Sequence, residues 1–175
     1  MERLGPGLEM LAFALVLLAL MWLGWRRRIR RQSGIGTPQP TPADAGAERF
    51  RCAGQYVVTT TAGDWLDRVA AHGLGVRTGA DAVVTDAGVV FERSGARDVF
   101  IPRDDLEGVR LESGMAGKFV EKDGLVVLAW RLGGTAVDTG FRPRYAEEKN
   151  AFVAAIEDLM GSEAGSGADQ GKSVQ

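Results

Sequence analysis

The chain has 175 residues, 45% of them hydrophobic, with 21 Lys and Arg against 23 Asp and Glu and a formal net charge of -2. The charge is unevenly placed: Arg3 and the arginines at 26, 27, 28, 30 and 31 leave 15 basic and 21 acidic residues from position 32 onward, so most of the chain lacks the net basic face that general nucleic-acid binding needs. One cysteine, Cys52, and one histidine, His72, exclude an intrachain disulfide and a structural zinc site built without carboxylates, and no cofactor or metal is expected.

Residues 1–8 form a short N-terminal segment. Met10 to Trp25 then reads MLAFALVLLALMWLGW without a charge. As a helix, a run of this length spans roughly 24 Å at about 1.5 Å per residue, close to the ~30 Å of a hydrocarbon core. It is apolar all round, where a soluble helix keeps a polar stripe. A cleaved signal peptide needs small residues after the apolar run; Trp22 to Trp25 and then arginines follow here. The expectation is a retained transmembrane helix over 9–25. Arg26, Arg27, Arg28, Arg30 and Arg31 form a collar that the positive-inside rule places in the cytoplasm among lipid headgroups, leaving the N-terminus outside.

Residues 26–47 comprise that collar and a spacer whose Pro38, Pro40 and Pro42 alternate with small polar residues, a composition expected to run extended and unpacked. A domain is expected over 48–160. Gln55 to Thr61 is rich in β-branched residues, and Ala82 to Thr85 with Val89 to Arg93 reads as a hairpin around Asp86-Ala87-Gly88. Asp98 to Pro102 and Glu107 to Leu111 are short strands. Leu125 to Leu132, Gly133-Gly134 and Ala136 to Phe141 make a second hairpin. Seven strands at regular intervals predict a mainly β sandwich or barrel. Gly63 to Leu74 is not strand-like, and the spacing of Trp65, Leu66 and Val69 predicts a short helical turn or two. Arg144 to Met160 carries Tyr145, Phe152, Ile156, Leu159 and Met160 at helical spacing with Glu147 and Glu148 in the first turn, a helix expected to pack one stripe on the β core. The tail over 161–175 has almost no apolar residues and is expected to be disordered.

Seven strands followed by one helix is the order of a pleckstrin-homology (PH) fold. GDWLDR at Gly63 to Arg68, HGLG at His72 to Gly75, FIP at Phe100 to Pro102, GMAGK at Gly114 to Lys118 and DTGFR at Asp138 to Arg142 occur in that order along the chain. On these motifs the chain resembles a family of short actinobacterial single-pass membrane proteins with a PH-like domain, often labelled export or membrane proteins or transporters. The resemblance implies a seven-stranded PH-like sandwich or barrel capped by a C-terminal helix and preceded by one transmembrane helix. It also suggests a genetic association with pyrimidine biosynthesis, and it supplies no ligand.

Three motifs fail as catalytic sites. Ser113 to Phe119 has Glu112 and Phe119 where a phosphate loop needs a glycine and a hydroxyl. Asp-Thr-Gly at Asp138 to Gly140 occurs once, whereas the aspartic-protease chemistry needs two carboxylates sharing a proton. His72 has no nucleophile elbow to serve. No catalytic residue is therefore expected, and the chain is not expected to be an enzyme. The region of the first β–β loop of a PH domain, roughly residues 62–80, contains Arg68, His72 and Arg77 with Asp64 and Asp67. This mixed charge points to a protein or peptide partner over strong anionic-lipid binding. Arg68, His72, Arg77 and Lys118 are the candidate binding residues. The function expected is a membrane-anchored interaction module at the cytoplasmic face. An accessory subunit of a transport or export complex is the alternative, which would require a larger partner because a single helix without a central ionisable residue forms no pathway.

Overall fold

The computed structural model describes residues 10–22, 36–115, 118–119 and 124–161, in two units, one within residues 1–35 and one from Gly36 onward. In the first, residues 10–22 form a helix, α1, on which Met10, Leu11, Phe13, Leu15, Val16, Leu17, Leu18, Leu20, Met21 and Trp22 are all at least half exposed. No helix among the described residues is long and apolar enough to cross a membrane. Residues 9 and 23–25 of the expected span, the N-terminal segment 1–8, the whole arginine collar and the expected tail from 162 on lie outside the described residues.

The second unit is organised by its longest strand, β1 (Glu48–Thr61). The strand has two edges and uses both. Along Glu48 to Tyr56 one edge pairs with β3 (Thr78–Thr85). Along Gly54 to Thr61 the other edge pairs with β10 (Thr135–Pro143). The overlap covers Gly54, Gln55 and Tyr56, and its first residue is a glycine. A side chain there would strike the Phe141 ring and the Arg142 carbonyl, so the crossing point of the sheet requires glycine. Antiparallel neighbours extend the sheet outward to β4 (Gly88–Arg93) and β5 (Val99–Pro102) on one side, and to β9 (Leu125–Leu132) and β6 (Leu106–Glu112) on the other. The order is β5-β4-β3-β1-β10-β9-β6. All seven expected strands are present, and Gly133 and Gly134 turn the β9–β10 hairpin with φ of 57° and 86°, the left-handed pair that a two-residue turn favours.

Gly63 to Leu74 departs from expectation. Residues Asp64–Arg68 form a strand, β2, antiparallel to the end of β1. Of the residues whose spacing predicts a helical turn, Val69 is buried while Leu66 is 58% exposed, so Leu66 belongs to no packed stripe. The local polar groups favour reversal instead. Gly63 takes a φ of 78°, the Asp64 carboxylate accepts the Leu66 amide at 3.1 Å, and Thr61 donates to Asp67 at 3.0 Å. A single 3-10 turn, Ala71–Gly73, follows. Two further two-residue strands, β7 (Gly114–Met115) and β8 (Lys118–Phe119), pair with each other.

The final helix, α2 (Glu148–Gly161), buries Phe152, Ile156 and Leu159 and packs on β6, β1 and β3. Each such side chain contributes roughly 1.5–3 kcal/mol when fully withdrawn from water. The helix starts four residues later than its periodicity predicts, because the Arg144 amide bonds to the Ala53 carbonyl at 2.8 Å and extends the sheet edge. Tyr145, expected in the buried stripe, is therefore 52% exposed, and Glu147 lies ahead of the helix. From α2 an aromatic line crosses the core. Phe50 stacks on Phe152 at 5.9 Å, Phe152 meets Phe141 at 5.5 Å, Phe141 meets Phe91 at 5.4 Å and Phe91 meets Tyr56 at 5.7 Å. Such pairs add about 0.5–1.5 kcal/mol each beyond their burial.

The proline-rich segment is a correction. From Gly36 on it is strapped to the domain and does not hang free. Gly36 lies against Gly133 so closely that a side chain on either would collide with the other. At the far end the Ala87 amide donates to Ala45, the Asp86 amide to Ala47, and the Asp86 carboxylate takes the Ala47 amide at 2.8 Å and the Arg49 Nε at 2.7 Å. A compositional spacer has become part of the fold because Ala45 and Ala47 find hydrogen-bond partners in the Asp86–Ala87 turn and Gly36 packs closely on the Gly133 turn.

The strap has a pH signature. Arg49 first, and the Ala47 amide second, hold the Asp86 carboxyl below its ordinary value. Its contribution is therefore complete at neutral pH and is lost as pH falls through a folded-state value under the usual ~4. Protection of the Ala47 amide in hydrogen exchange is expected to fall in that acid range before the core strands lose theirs. In the Asp86→Ala variant it is expected to be weak at every pH.

Candidate functional site

The insertion between β1 and β3, expected to hold the contact residues, is fastened to the core by two buried polar side chains. Tyr56 is fully buried. Its hydroxyl donates to the Leu74 carbonyl at 3.1 Å, and it lies 2.6 Å from Thr59 Oγ1. Thr59 Oγ1 is 2.7 Å from Thr139 Oγ1, which accepts the Trp130 Nε1–H at 2.8 Å. An indole N–H only donates and a carbonyl only accepts, so the hydroxyls between them are forced into one direction: Trp130 to Thr139 to Thr59 to Tyr56 to Leu74. Burial pushes the Tyr56 phenol up to about 12, against the opposing effects of the Thr59 bond and of Arg93.

Arg93 is the second fastening. It is 6% exposed, and its Cζ lies 4.2 Å from the Tyr56 ring centroid. Nη2 donates to the Gly73 and Val76 carbonyls at 2.9 Å each, Nε to Thr78 Oγ1 at 3.1 Å and Nη1 to the Arg97 carbonyl at 3.4 Å. His72 adopts φ 55°, which helps the turn bring Gly73 to this guanidinium. A planar fork of donors suits several carbonyls held in fixed directions better than an ammonium does.

Three of the short motifs on which the resemblance rests contribute to this fastening or to the core beside it. In GDWLDR, Asp64 and Asp67 bind within the reversal. In HGLG, Gly73 and Leu74 supply the carbonyls. In DTGFR, Asp138 accepts a two-pronged bond from Arg110 at 3.1 and 2.8 Å, Thr139 belongs to the hydroxyl chain, and Phe141 belongs to the aromatic line. The Arg110 guanidinium is held charged chiefly by that Asp138 bond. Asp138 is thus engaged in a structural ion pair.

Arg68, His72 and Arg77 are all exposed on the insertion, and none of them lines a groove that lies on the face of the sheet elsewhere in the domain. Lys118 lies on β8, where its side chain is outside the described residues. The same holds for Trp65. The groove, about 1040 Å³, runs across β1, β3, the end of β10 and the start of α2. Ladder pairing sets its base: Gly79 and Arg142 flank Gln55 on opposite edges, and Asp81 flanks Ala53. Its two sides differ in charge. Asp81 and Glu92 lie on the β3–β4 side, and Arg142, Arg144 and Lys149 on the β10–α2 side. The acids are already engaged by Arg51, whose Nη1 is 2.7 Å from Glu92 and 3.7 Å from Asp81 while Nη2 is 3.0 Å from Glu48. Hydrogen bonds to Glu92 and then Glu48 hold that guanidinium firmly charged. Arg144 and Lys149 make no ion pair among the described residues. Sequence reasoning missed the groove because its lining comes from five separated segments; the only signal was Arg142 at the end of DTGFR.

Cys52 is buried in β1. Burial first, with Glu148 and Asp81 adding, pushes its thiol up to about 12, far from a nucleophile's range. No cluster of three or more metal-ligating side chains occurs among the described residues.

An antiparallel sheet in the order β5-β4-β3-β1-β10-β9-β6, with β2 beside β1 and one C-terminal helix packed on it, is accompanied by a family match: residues 35–157 fit the family described as bacterial PH domain-like. This chain belongs to that family. The match begins at the strapped segment, in agreement with its place in the fold. No match is found among curated proteins. Among solved structures, a chain of the 8S snRNP assembly intermediate is similar at 9% identity with a TM-score of 0.48, covering 81% of this chain and 98% of that one. A chain of Vav1 inhibited by an allosteric inhibitor is similar at 14% identity with a TM-score of 0.42. The match covers 77% of this chain and 33% of the Vav1 chain, so this chain spans about a third of it.

Two outcomes test the fastening. Arg93→Met is expected to cost about 3 kcal/mol in urea unfolding, because it leaves buried carbonyls unpaired, and Arg93→Lys is expected to recover only part of that. Cys52 is expected to resist a thiol-exchange reagent at about pH 8 until denaturant is added, read as absorbance of the released reporter thiol.

Proposed function

We propose that this PH-like protein is a membrane-anchored interaction module whose domain binds a protein or peptide partner at the cytoplasmic face. The observation that carries the reading is the groove: an open concavity on a PH-like scaffold with Arg144 and Lys149 free of ion pairs among the described residues. Two separated cations on a shaped surface suit recognition, and the thiol and imidazole of the chain lie outside the groove.

The anchor follows from α1 and the sequence around it. The large apolar side chains described on α1 are 50–76% exposed. Water disfavours such a surface at about 25 cal/mol per Å², and lipid does not. The run continues in sequence to Trp25 and is followed by Arg26, Arg27, Arg28, Arg30 and Arg31, which retain the domain on the cytoplasmic side and lie among anionic headgroups. The mixed charges near Arg68, His72 and Arg77 support a protein partner over a lipid one for the domain.

The test is fractionation of cells producing the full chain. The protein is expected in the membrane pellet after alkaline carbonate, with the domain digested by protease only when the cytoplasmic side is exposed. Crosslinking in intact membranes is expected to capture a protein partner. Release by carbonate would overturn the anchor, and digestion from the outer side would overturn the orientation.

A further inference from the structure

Gly79 is unexplained by the fold. It sits inside β3, directly opposite Gln55, at an ordinary φ for a strand residue. A Cβ there would meet only Ser94 Oγ, at 3.8 Å. Glycine inside a strand weakens it and commonly marks a close approach by another backbone or a ligand. The contrast with Gly54 is sharp, since that glycine is demanded by the Phe141 ring beneath it. Gly79 instead leaves the base of the groove bare where packing would accept a side chain.

The charges around that bare strip say what lies on it. Arg144 and Lys149 stand on one side without an ion pair among the described residues. Asp81 and Glu92 stand on the other. A bilayer or a nucleic-acid backbone presents anions across its whole surface and would meet the acids as well as the cations. A peptide can set carboxylates on one side only. At about 1040 Å³ the groove is also at the upper limit of cavities that enclose one small ligand.

We infer that the groove receives an acidic peptide segment of a protein partner, its backbone passing over Gly79 and its carboxylates directed to Arg144 and Lys149. The inference rests on the interaction-module reading and assigns the partner's chemistry and the site. Arg68, His72 and Arg77 lie outside this contact.

The experiment uses the full chain in lipid nanodiscs and a labelled peptide of alternating Glu and Ala, with alternating Gln and Ala as its neutral counterpart. Fluorescence anisotropy is expected to show salt-sensitive binding of the acidic peptide only. Gly79→Val, which fills the strip with a strand-favouring side chain, and the double variant Arg144→Glu with Lys149→Glu are each expected to weaken binding by about tenfold or more. Their thermal unfolding is expected to stay at or above that of the parent for Gly79→Val and near it for the double variant. Absence of acidic-peptide binding, or equal binding by parent and variants, would overturn the assignment. So would competition by phosphatidylserine vesicles that the same variants abolish. If crosslinking in intact membranes still captures the same partner with the double variant, the module reading stands and this groove is not its site.

Discussion

The contact of Arg93 with Tyr56 is the constraint from which the rest of the domain is ordered. A guanidinium 6% exposed survives burial only if its donors are met. Here they are met mostly by backbone carbonyls of the insertion and the segment after β4. The same phenol under the cation closes a one-directional chain of hydroxyls back to Trp130. Packing and polar satisfaction therefore converge on a single residue of β1, and the insertion has one position on the sheet.

That convergence explains why the groove has a definite form. Tyr56 ends the aromatic line that begins at α2, so the start of the helix and the β1–β3–β10 crossing are fixed through one packed row. Lys149 on α2 and Arg144 before it are placed by this row and by the Arg144 amide on Ala53. The acids across the groove are held by Arg51. The surface thus keeps opposite charges apart on a rigid base without letting them neutralise each other. The strapping of residues 36–47 against the Gly133 and Asp86 turns extends the domain toward its N-terminus and makes the proline-rich stretch part of the fold.

Much of the fold was legible in the residues. The seven main strands follow from β-branched runs separated by turn residues, and the Gly133-Gly134 hairpin and the Phe152, Ile156, Leu159 stripe are local patterns with local causes. The insertion was misread because a three-residue apolar spacing fits a helical turn as well as a strand lying on a neighbour. Only the polar bonds of Asp64, Asp67 and Thr61 decide between them. The strap was misread because proline-rich composition reports the absence of a hydrophobic core contribution, and says nothing of the hydrogen bonds supplied by the Asp86–Ala87 turn or of the close approach at Gly133.

The amino-acid order by itself determined the β-rich class, the helix that covers it, the apolar N-terminal run and the uneven charge, because periodicity and composition act over neighbouring residues. The tertiary structure alone decided which motif residues fasten the insertion, where α2 begins, and that Gly79, Arg144 and Lys149 share one groove. Those outcomes depend on which strands become neighbours across β1, and strand pairing joins residues whose separation along the chain carries no local mark.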